Sequence, residues 1–117
     1  MRKWISAADC LVEMMIKHLP SPVEAQKYRS TYLYEGNEEE VLEGIRGCDP
    51  NGPLMVYISK MVAIEDGRFA AFGRIFSGTA KAGQKVKIIG SNHKEGSKND
   101  YFEKSINSVM VMIGNKA

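Results

Sequence analysis

Between Gly47 and Pro53 the chain carries Gly47, Asp49-Pro50 and Asn51-Gly52-Pro53, a run that a regular helix or strand does not cross. Proline has no backbone N–H and fixes its own φ, and the residue before it is pushed out of the helical region. The break therefore divides the sequence in two. Residues before it read as helical and acidic, and residues after it read as strands.

In the first part Ser6 can cap a helix, with Asp9 three residues on. Ala7, Ala8, Leu11, Val12, Met14, Met15, Ile16 and Leu19 then form a broad apolar stripe at helical spacing. Lys17 and His18 fall in the last turn, where positive charge suits the helix dipole. Pro20 and Pro22 end the helix. So wide a stripe calls for a large covering surface, more than the rest of this chain promises to supply. Ala25, Tyr28, Arg29 and Tyr32 allow a short helix, Gly36-Asn37 breaks it, and Glu38-Glu39-Glu40 opens another that runs to Ile45.

Beyond Pro53 the expected strands are Leu54 to Val62, Phe69 to Phe76, Lys85 to Ile89 and Tyr101 to Ile113. Turns at Asp66-Gly67 and Lys81-Ala82-Gly83-Gln84, and a polar loop from Gly90 to Asp100, separate them. Short turns between strands point to an antiparallel barrel or sandwich. Gly73 in mid-strand and Gly78 near its end predict a bulge, a bend or a close backbone approach.

Composition excludes several classes. With 44% apolar and 26% charged residues, the 117-residue chain is neither disordered nor fibrous. Its net charge of +2 does not by itself mark a nucleic-acid binder. The charge is uneven, however. Residues 1–50 hold 6 basic and 9 acidic side chains, and residues 79–117 hold 7 and 3. Cys10 and Cys48, with His18 and His93, make neither a disulfide framework nor a zinc site, and free thiols fit a reducing cytosol. No secretory apolar segment follows Met1, and no run of about 20 apolar residues occurs, so a soluble, cytoplasmic protein without membrane contact is expected. Neither a phosphate loop nor a nucleophile elbow is present, so catalytic, cofactor-binding and metal-binding residues are all expected to be absent. Glu65 and Asp66 read as turn residues, and Phe69, Phe72 and Phe76 read as core in preference to stacking platforms for nucleic acid.

The stretch from Phe72 to Gly90 is the informative one. Gly73, Gly78 and Gly83 recur at a fixed interval, Arg74 follows the first, Gln84 follows the third, and Val86 and Ile88 alternate before Gly90. This pattern resembles the second-domain signature of translational GTPases. The flanks narrow it: His18-Leu19-Pro20-Ser21-Pro22, Ala25-Gln26, Tyr28-Arg29, Tyr34-Glu35-Gly36, Cys48-Asp49-Pro50 and Leu54 to Val62 are similar to the elongation factor 2 family. The likeness spans nearly the whole chain, with departures at residues 37–44 and 63–67.

The resemblance implies a mainly β fold. Residues 1–22 become the last helix of a GTPase domain, 23–53 a partly helical linker, and 54–117 an antiparallel, Greek-key-like β-barrel still lacking about two strands. It implies a piece of a factor that promotes GTP-dependent ribosomal translocation, with GTP and magnesium held elsewhere in that factor. The implied partners are small-subunit ribosomal RNA, the GTPase domain and the later domains of the same factor. An isolated segment of this kind is expected to self-associate through its open sheet edge, its N-terminal helix or an exchanged segment. Gly73, Arg74, Ser77 and Lys81 are the candidate RNA contacts, with an internal salt bridge the alternative for Arg74. The spliceosomal relative of this family is the other reading of the same motifs.

Overall fold

The computed structural model describes residues 4–94 and 96–114. Its elements are helices α1 (Ala7–His18), α2 (Pro22–Leu33) and α3 (Glu39–Gly47), followed by strands β1 (Met55–Ala63), β2 (Phe69–Ser77), β3 (Lys85–Ile89) and β4 (Tyr101–Ser105).

Local sequence sets the helix ends. The Asp9 N–H donates to Ser6 Oγ at 3.4 Å and starts α1, whose last turn carries Lys17 paired with Glu13. Pro22 does more than end a helix. It occupies the first turn of α2, where a missing N–H costs nothing, and Ser21 Oγ accepts from the Glu24 N–H at 3.3 Å. α3 closes on Cys48 in the left-handed region, at φ 53°. There the Asp49 N–H reaches back to the Gly44 carbonyl at 3.1 Å, so the helix is stopped by a hydrogen-bonded C-cap.

β1 and β2 form one antiparallel hairpin, and β3 and β4 form another. The expected mainly β barrel is not what the chain builds. Helical residues are at least as many as strand residues, and the strands lie in two separate two-stranded sheets. A barrel closes only when every strand has a neighbour on each side. Here β2 and β3 share no ladder, and the fourth strand is short: it ends at Ser105, and residues 106–112 are irregular. Ser105, Asn107 and Ser108 interrupt the apolar alternation there, and no neighbouring strand offers a ladder that would override them. The architecture is mixed α and β.

The buried residues lie at the meeting of α2, α3 and the end of β2. Ala25, Gln26 and Ser30 come from α2, Val41, Gly44 and Ile45 from α3, and Ser77 from β2. The broad stripe of α1 stays uncovered, with none of its side chains buried.

Candidate RNA-contact face on the first hairpin

Pairing in the first hairpin is read from its register. Val56 faces Ile75, Tyr57 faces Arg74 and Ile58 faces Gly73; past Ser59, Lys60 faces Phe72. Ser59 is thus an extra residue on β1, and a second irregularity separates Met55 from Val56, opposite Phe76. Side chains alternate between the faces of a strand, so Tyr57 and Lys60, three apart, would ordinarily point to opposite sides. The bulge at Ser59 removes that opposition. Tyr57, Lys60, Phe72 and Arg74 consequently share a face.

Gly73 makes the bulge possible. A Cβ at that position would lie 2.3 Å from the Tyr57 carbonyl oxygen and 3.0 Å from the Ile58 Cα. The close approach foreseen for this glycine is therefore an approach of the partner strand's backbone.

Each of the two cations on the shared face lies near an aromatic ring. Lys60 Nζ lies 5.4 Å from the Phe72 ring centroid, and Arg74 Cζ lies 5.2 Å from that of Phe76. Both distances fall within the range of a cation–π attraction, about 6 Å. Among the described residues Arg74 takes part in no ion pair. Tyr57 is 60% exposed, Phe72 41% and Phe69, on the other face, 66%, so the reading of Phe69 and Phe72 as core does not hold. Phe76 is half-buried, against a small apolar hollow lined also by Leu33, Ile45, Met55, Val56 and Tyr57. Neither β1 nor β2 contains an Asp or a Glu.

The four candidate contacts separate in space and role. Gly73 and Arg74 are adjacent on β2 and exposed. Lys81 is exposed in the following turn, where its N–H donates to Gln84 Oε1 at 3.1 Å and its carbonyl accepts from the Gln84 N–H at 3.2 Å. Ser77 is different. It is 2% exposed, it points at Gly44 and Gly52, and its hydroxyl has no hydrogen-bond partner among the described residues. A nucleic acid cannot reach it without opening the junction.

That junction holds a residue that the sequence marked only within a flanking likeness and gave no role. Gln26, 2% exposed, donates through Nε2 to the Ile45 carbonyl at 2.6 Å and to the Phe76 carbonyl at 2.8 Å, while its Oε1 accepts from Cys48 Sγ at 3.3 Å. One side chain thereby ties α2 to α3 and to β2. Next to it, the Gly78 N–H donates to the Asp49 carbonyl at 2.8 Å, and Thr79 Oγ1 donates to the Pro50 carbonyl at 2.8 Å. Gly78 adopts φ 74°, and a Cβ there would lie 2.6 Å from the Leu54 Cα. The end of β2, and with it the base of the aromatic face, is fixed to the helical part by this network.

Among the described residues no cluster of His, Cys, Asp and Glu is assembled to hold a metal ion, and no helix is long and apolar enough to cross a membrane. No protein-family model matches the chain.

Proposed function

We propose that this chain is a ribosome-docking segment of a cytoplasmic translational GTPase of the elongation factor 2 type, and that its first hairpin meets small-subunit ribosomal RNA. The motif from Gly73 to Gly90 supports the family reading. The observation that carries the docking role is Arg74, an exposed guanidinium with no ion pair among the described residues, on a hairpin whose strands hold no carboxylate. Such a group can meet a phosphate through paired, charge-assisted hydrogen bonds. Lys81 adds a second exposed cation in the turn that follows. In this reading GTP and magnesium are bound by other parts of the factor and the segment catalyses nothing itself. The uncovered stripe of α1 then faces the GTPase domain of the same factor.

Binding of the chain to purified small ribosomal subunits tests this. Arg74→Ala should weaken it by about 1–3 kcal/mol and reduce the salt slope by about 1. Affinity unchanged at every ionic strength would remove Arg74 from the contact. Absence of any subunit binding by the parent chain would overturn the docking role.

A further inference from the structure

We propose that the face bearing Tyr57, Lys60, Phe72 and Arg74 is a stacking platform for unpaired RNA bases. The inference rests on the RNA-docking reading above and narrows it from RNA in general to single-stranded RNA. Phosphate contact alone needs only cations, and a surface serving that purpose gains nothing from exposed rings. This face instead interleaves the two kinds of group. Along β2 Phe72 and Arg74 alternate onto this face, and the partners facing them across the hairpin are Lys60 and Tyr57. Each cation is held near a ring, at 5.4 and 5.2 Å from the centroids.

A strand rises about 3.3 Å per residue, so the step from Phe72 to Arg74 spans roughly 7 Å. That length suits about two bases laid on a sheet through aromatic side chains and a guanidinium plane. The cations meet the phosphates between those bases, and with no carboxylate on either strand nothing on the hairpin strands repels them. A duplex hides its base faces in its own stack, so it can use the cations and not the rings. The bulge at Ser59 bears on the same point: without the extra residue Lys60 would leave the aromatic face.

The test compares a short oligouridine with a blunt RNA duplex of equal phosphate count, each titrated into the whole chain. The oligouridine should bind more tightly. Phe72→Leu and Tyr57→Leu should each weaken oligouridine binding about 5- to 150-fold, since stacking acts base by base. Neither should change the salt slope or the affinity for duplex, because no phosphate contact is removed. Both side chains are exposed, so circular dichroism of each variant should match the parent and exclude unfolding as the cause. Equal oligouridine affinity in parent and both leucine variants would overturn the stacking role, and the docking role would stand if subunit binding persisted. Competition by polyglutamate as effective as by oligouridine at equal charge would reassign the face to an acidic protein segment and overturn the proposal as well.

Discussion

Ser77 shows how much one residue's surroundings change what its sequence context suggests. In the motif it lies between Phe76 and Gly78 and reads as a hydroxyl available to RNA; in the structure it is buried beneath Gly44 and Gly52 with its hydroxyl unpartnered among the described residues. Burial without a hydrogen bond costs a hydroxyl roughly 1–3 kcal/mol. Ser77→Ala should therefore leave RNA affinity unchanged and be neutral or stabilising by about 1 kcal/mol, measured by urea unfolding. A loss of RNA affinity without loss of stability would restore Ser77 as a contact. The exposure of Arg74, by contrast, was legible, because a long cation in a strand is rarely fully buried. Gln26 was not legible. Its carbonyl partners lie 19 and 50 residues away, and α2 has no apolar periodicity to reveal which face turns inward.

At the scale of elements, local signals carried far. The Ser6 cap, the prolines after His18 and the turn residues at 66–67 set boundaries that follow from a few neighbouring residues. All four strands start close to their expected positions. The failures are non-local. Whether β2 pairs with β3, and whether residues 106–112 remain extended, depends on a neighbouring strand, and alternation within one segment carries no information about one. Gly73 links the two levels: its sequence announced a bulge, a bend or a close approach, and its structure shows a bulge beside it and which backbone approaches. Gly73→Ala should force the Tyr57 carbonyl away, destabilise the hairpin by about 1–3 kcal/mol and raise amide exchange across β1 and β2. Unaltered exchange at Tyr57 and Ile58 would mean that the bulge does not depend on this glycine.

The molecule as a whole is open. Its radius of gyration is 18.4 Å, against about 13 Å for a compact domain of this length. Leu11, Val12 and Ile16 on α1, and Ile88, Ile89 and Phe102 on the second hairpin, are exposed together with the free edges of both sheets. Apolar surface and unpaired edges on this scale favour association. Sedimentation of the isolated chain should accordingly show mass rising with concentration, and a constant monomer mass up to the solubility limit would contradict that. On the proposed reading, the same openness leaves the first hairpin accessible to the ribosome while α1 is covered by another part of the factor. A photoreactive benzophenone in place of the Tyr57 side chain tests that placement most directly, since it sits beside Arg74 and is exposed. Irradiated with whole ribosomes, it should crosslink to small-subunit ribosomal RNA, at an unpaired segment, and Arg74→Ala in the same chain should reduce the yield. Crosslinks confined to ribosomal protein or to large-subunit RNA, or a yield indifferent to Arg74, would contradict the account.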